Sequence, residues 1–110
     1  MLRRLSTVLA AVVVVVGWSA GSASAHAELI SVDPPAGTVV PTTPERVTVT
    51  FTEPVSVSGG NVELFDAAGL AIPIETSVVD STLQIDLPAT LDDGSYLVAW
   101  RVISADSHPV

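Results

Sequence analysis

Three stretches in which every second residue is apolar constrain the fold of this chain most strongly. They cover residues 46–52, 82–87 and 95–103, and in the first two the residues between are all polar. Successive side chains of a strand point to opposite faces, so a period of two predicts strands with one buried face. Clusters of proline, glycine, aspartate and serine separate these stretches, which is typical of strands joined by turns.

Three weaker segments add to this pattern, and no segment has a clear helical period. Residues 28–32, 61–66 and 70–74 are further candidate strands, the last of them short and poorly alternating. Five or six strands without helices between them predict an all-β fold, a Greek-key antiparallel β-sandwich or barrel. Trp100 lies in the middle of the longest predicted strand, where we expect it to anchor the core.

The first 25 residues have the three parts of a secretory signal. Arg3 and Arg4 precede an apolar run over residues 5–16, and small residues then lead to an A-x-A sequence ending at Ala25. The run is short for a membrane span, which needs about 20 residues. We therefore expect a cleaved signal peptide at residues 1–25 and one exported domain at residues 26–110. An uncleaved anchor is the alternative, and no later segment is apolar enough to span a membrane.

Charge and residue types limit what the remaining domain can do. The domain has only two strongly basic residues, Arg46 and Arg101, and carries all 12 acidic residues of the chain. This excess of negative charge argues against nucleic acid and anionic membranes as partners. The chain has no cysteine, and its one methionine is Met1. After cleavage the domain therefore has no disulfide, no thiolate and no thioether with which to bind a metal.

Two histidines at opposite ends of this domain are the candidate metal ligands. Cleavage after Ala25 would give His26 a free α-amine beside its imidazole, and the two nitrogens can chelate one metal. The amine's pKa of about 7.7–8.0 lets a metal displace its proton near neutrality. At the other end Asp106 and His108 are two residues apart, and an extended segment would place both on one face. Pro109 favours that extended conformation at His108. Nitrogen and oxygen donors of this kind suit Cu(II).

The domain resembles the CopC-like periplasmic copper-resistance proteins in motifs along nearly its whole length. The matching segments are HAEL at residues 26–29, Ser31 with the PPAG turn at 34–37, VTFTEPV at 49–55, GSY at 94–96 and WRVISADSHP at 100–109. The last segment is the most specific of them.

The resemblance implies a cupredoxin-like sandwich that binds Cu(II) through His26, Asp106 and His108. It also implies that Glu53, in the F-T-E motif, lies near the copper as an outer or axial group. The family acts in copper binding, trafficking and tolerance in the periplasm or at the cell surface, without catalysis. In related proteins a membrane copper-transport domain can follow, and a membrane copper transporter is an expected partner.

Two departures from the family pattern affect these expectations. The methionine-rich Cu(I) site of some members is absent from this domain. The family pattern also continues after H-P-V into a final glycine-containing strand, whereas this sequence ends at Val110. A sandwich lacking its last strand, from a fragment or a truncated gene product, is therefore the alternative to a complete one.

Two other functions compete with copper binding. An N-terminal histidine beside another histidine also occurs in copper oxygenases that attack polysaccharides, but those enzymes need a broad aromatic surface. A metal-free structural or interaction sandwich becomes the default if His26 is not the first residue, because an amide would then replace the amine.

Overall fold

The computed structural model describes residues 26–110, and the predicted signal peptide at residues 1–25 lies outside the described residues. Seven strands make up this part of the chain. They are β1 Leu29–Asp33, β2 Arg46–Phe51, β3 Val55–Phe65, β4 Ala71–Ile72, β5 Glu75–Val79, β6 Thr82–Asp86 and β7 Leu97–Ser104. Within residues 26–110 no helix has the length and hydropathy needed to cross a bilayer.

The strands form two antiparallel sheets, ordered β1-β2-β6-β5 and β4-β3-β7. The chain changes sheet after each pair of strands, so β2 and β6 become neighbours although three strands separate them in sequence. Their register aligns Val47 with Ile85 and Val49 with Leu83. This arrangement confirms the predicted all-β antiparallel sandwich.

The core consists of the inward faces of the alternating segments. Phe51, Leu64, Leu83, Ile85, Val49 and Val102 are fully buried. Burial of side chains this size contributes about 1.5–3 kcal/mol each relative to exposure. Trp100 is half-buried and packs against this cluster, so it borders the core rather than filling its centre.

Two features of the strands differ from the prediction. β5 was not expected, because only Val78 of its five residues packs against the core and the segment carries little apolar pattern. β3 begins at Val55, six residues before the predicted start. Its register with β7 shifts between Ser56 and Asn61. Two glycines in this bulge interrupt the apolar pattern, so the sequence did not predict this part of the strand.

One of these glycines is required by the close approach of β3 to β7. A Cβ on Gly60 would lie 2.0 Å from the carbonyl oxygen of Arg101, which is backbone and cannot rotate away. Glycine is the residue that lets two backbones come this close. The bulge therefore separates two registers of the β3–β7 pair, and beyond it Ser104 at the end of β7 pairs with Val55.

Candidate metal centre

The N-terminal end of the domain is fixed against the end of β2. Ala27 is only 4% exposed and belongs to the core cluster. The Glu28 N–H donates to the Thr52 hydroxyl at 2.9 Å, and the Thr52 N–H donates to the Glu28 carbonyl at 2.9 Å. These contacts hold the backbone next to His26 and leave its side chain exposed.

A tight turn follows β7 and holds the other two candidate ligands. The Ser104 N–H donates to the His108 carbonyl at 2.9 Å, and the Ser107 N–H donates to the Ser104 carbonyl at 2.9 Å. Ser107 has a φ of +67°. A three-residue hairpin loop with a left-handed third residue has this form.

The expectation of an extended segment over Asp106 and His108 was therefore wrong. The reason is local hydrogen bonding, since the Asp106 side chain accepts from the His108 N–H at 3.2 Å and stabilises the turn. After the turn the chain pairs back on β7, with reciprocal backbone bonds between Val102 and Val110. The two side chains still share one side of the loop, because the turn brings them together.

The structure brings His26, Asp106 and His108 together. Asp106 Oδ2 lies 3.3 Å from His26 Nδ1 and 2.9 Å from His108 Nδ1. The two imidazole centroids are 4.4 Å apart, with the rings inclined at 49°. One ligand atom from each residue lies within 4.8 Å of the others. The three side chains thus form a group of the size that can surround a single ion.

The second carboxylate oxygen of Asp106 is directed into the turn. Oδ1 accepts hydrogen bonds from the Ser104 hydroxyl and from the His108 N–H. The Ser104 hydrogen bond lowers the pKa of Asp106, desolvation opposes it, and the contacts with His108 lower it further, to about 2. The carboxyl group is therefore ionised at neutral pH and available to bind a cation.

Sequence reasoning did not single out Ser104, which is only 5% exposed. A signal was present in the sequence. The inward face of the last strand runs through residues 98, 100 and 102, and Ser104 is the next position on that face. A polar residue continuing a buried face needs a hydrogen-bond partner, and the nearby acidic residue Asp106 supplies one.

Glu53 lies outside this group. It is exposed in the bend that follows β2, one residue after Thr52. The group of residues that could hold a metal contains His26, Asp106 and His108 and does not include Glu53.

The donor set suits a first-row transition metal. Two imidazoles and one carboxylate offer nitrogen and oxygen ligands without sulfur, and sites of this kind bind Cu²⁺ most tightly among the divalent ions of this row. The histidine side chains are 55% and 59% exposed and that of Asp106 is 21% exposed. The site is therefore open to solvent on one side, where an ion can enter without opening the core.

The chain is similar to known copper-resistance proteins in both sequence and structure. It is 33% identical over 99 residues to copper resistance protein C of Escherichia coli, covering 81% of this chain and 78% of the relative. It is 31% identical to the protein of that name from Xanthomonas campestris pv. juglandis, over 93% of this chain and 88% of the relative.

Two solved structures support the same relationship. The crystal structure of CopC from Methylosinus trichosporium OB3b superposes with a TM-score of 0.70 at 28% identity, covering 77% of this chain and 85% of that one. The copper resistance protein PcoC from Escherichia coli gives 0.61 at 26% identity, covering 76% and 90%. The CopC domain model matches residues 29–110. Family model, relatives and fold agree, and the chain belongs to the CopC domain family.

Proposed function

We propose that the exported form of this protein binds one Cu(II) ion outside the cytoplasm and acts in copper tolerance or trafficking without catalysing a reaction. The observation that carries the proposal is the convergence of the two ends of the domain. His26 precedes β1 and His108 follows β7, yet both imidazoles contact the same oxygen of Asp106. Family membership and the names of the relatives favour copper as the ion.

Export would supply the fourth donor of the proposed site. Removal of residues 1–25 by a signal peptidase, in the periplasm or at the cell surface, converts the backbone nitrogen of His26 into a free amine. An amine and the Nδ1 of the same residue close a chelate ring around a metal. The pair Glu28 and Thr52 supports this role, because it fixes the backbone two residues away and limits the motion of the new terminus.

Exposure of the site favours transfer of copper to another protein. Both imidazoles are more than half exposed, so an acceptor could reach the ion from the solvent side. A membrane copper transporter is the partner we propose. Glu53 remains a proposed outer group, and its role is to add negative charge near the ion rather than to bind it directly.

The aromatic residues of the described domain support a binding role over polysaccharide oxidation. Phe51 is buried, and Phe65, Tyr96 and Trp100 are half-buried. They pack in or near the sandwich and offer no broad aromatic surface within residues 26–110.

The test is a Cu(II) competition titration of the exported protein and of three variants. His108→Ala removes one imidazole and Asp106→Asn removes the negative charge. In the third variant His26 is replaced by alanine, which keeps a free amine but removes the imidazole that closes the chelate ring. Each variant should bind Cu(II) at least about tenfold more weakly, because each loses a ligand or its charge.

Asp93→Asn is the matched control for Asp106→Asn, since Asp93 is an exposed acidic residue that precedes β7, whereas Asp106 follows the other end of that strand. It should bind Cu(II) as the unchanged protein does. Equal affinity of the His108→Ala variant and the unchanged protein would contradict the proposed site.

A further inference from the structure

We propose that Ser104 is a positioning residue of the metal centre, which holds Asp106 so that a single carboxylate oxygen faces the metal. The inference rests on the proposed copper site and adds to it a residue that does not touch the ion. Four residues are involved: Ser104, Asp106, His108 and His26.

The two oxygens of Asp106 have separate partners. Oδ1 accepts from the Ser104 hydroxyl and from the His108 N–H, whereas Oδ2 contacts the two imidazoles. A serine hydroxyl has one proton to donate, and an ionised carboxylate is a stronger acceptor than a carbonyl. The proton is therefore directed to Asp106 rather than to the His108 carbonyl, which lies 3.2 Å from the hydroxyl.

Ser104 is well placed to fix this orientation. It is 5% exposed and ends β7, so its backbone is held by the sheet and its side chain has little freedom. Its N–H donates to the His108 carbonyl at 2.9 Å, a backbone contact that does not depend on the hydroxyl. Replacement by alanine should therefore keep the turn while releasing Oδ1.

Loss of the hydroxyl leaves Oδ1 with one donor, the His108 N–H at 3.2 Å. The carboxylate can then rotate and present either oxygen, or both, to an ion. Removal of a residue that orients a metal ligand typically lowers metal affinity by about 10- to 100-fold. We expect a loss in this range for Ser104→Ala, together with a changed Cu(II) electron paramagnetic resonance spectrum.

The experiment measures Cu(II) affinity and spectra for the protein exported from the full chain and for Ser104→Ala, Asp106→Asn and the double variant. If Ser104 acts through Asp106, the serine substitution should have little further effect once Asp106 is asparagine. Ser77→Ala, which removes an exposed hydroxyl from β5 in the other sheet, is the control and should leave affinity and spectrum unchanged.

The outcomes separate this inference from the proposed function. No specific Cu(II) binding by the unchanged protein would overturn both. Binding by the unchanged protein with an unaltered affinity and spectrum in Ser104→Ala would overturn the role of Ser104 alone. The role of Ser104 would also be overturned if Ser104→Ala lowered Cu(II) affinity equally in the unchanged protein and in the Asp106→Asn variant. If Ser104→Ala does not fold, Ser104→Gly removes the same hydroxyl without adding a metal ligand and should give a similar loss of Cu(II) affinity; an unaltered affinity there would also overturn the role.

Discussion

Replacement of Thr52 by valine should weaken copper binding without touching a metal ligand. Valine has nearly the shape of threonine but no hydroxyl, so the substitution removes the 2.9 Å hydrogen bond from the Glu28 N–H. The reciprocal bond from the Thr52 N–H to the Glu28 carbonyl remains. Thr52→Val thus loosens the N-terminal segment that carries His26 while the sandwich keeps its core.

The size of the effect follows from the value of one hydrogen bond. A typical intramolecular hydrogen bond contributes about 0.5–1.5 kcal/mol. If the hydrogen bond stabilises the copper-bound protein but not the copper-free protein, its loss lowers Cu(II) affinity by about 2- to 13-fold. Glu28 is exposed, so water can replace the hydroxyl as acceptor and the lower end of the range is expected.

Two measurements check this prediction together. Competition titration gives the Cu(II) affinity, and amide hydrogen exchange of Glu28 reports whether the segment has loosened. Faster exchange with reduced affinity is the expected result. Faster exchange with unchanged affinity would show that the order of this segment does not contribute to Cu(II) binding.

Further predictions concern the fold and its response to acid. Gly60→Ala should destabilise the domain by about 1–3 kcal/mol in urea unfolding, because its Cβ would collide with the Arg101 carbonyl. Phe51→Ala, at a side chain 1% exposed, should cost about 3–5 kcal/mol by the same assay. The pKa of Asp106 falls from 3.8 to about 2 on folding, so its carboxylate stabilises the fold above pH 3.8. That stabilisation should disappear as the pH falls towards 2, and Asp106→Asn should flatten this part of the stability profile.

The strands with one fully buried face could be predicted from the sequence. β2 and β6 are central in their sheet, so burial imposes a period of two on residues such as Val49 and Leu83. β5 lies at the edge of that sheet and only Val78 packs inward, so no period marks it. The early start of β3 could not be predicted, because the glycines in its bulge have no side chains to continue an alternating pattern.

The ligands of the candidate site could be chosen from the sequence, but the geometry that joins them could not. His26 and His108 are 82 positions apart, and only the sandwich shows that they meet. The turn at Asp106 depends on a left-handed conformation at Ser107 and on side-chain hydrogen bonds. A serine rarely marks such a turn as glycine does, so an extended segment was expected instead.

If export creates the metal site, the first residue of the exported protein and its copper content should go together. Native mass spectrometry of the protein exported from the full chain reports the first residue and the bound metal in the same spectrum. We expect a chain that begins at His26 and carries one copper ion after Cu(II) is added and excess metal removed. A chain that begins at His26 but retains no copper, or one that begins elsewhere and retains it equally well, would show that export does not create the site.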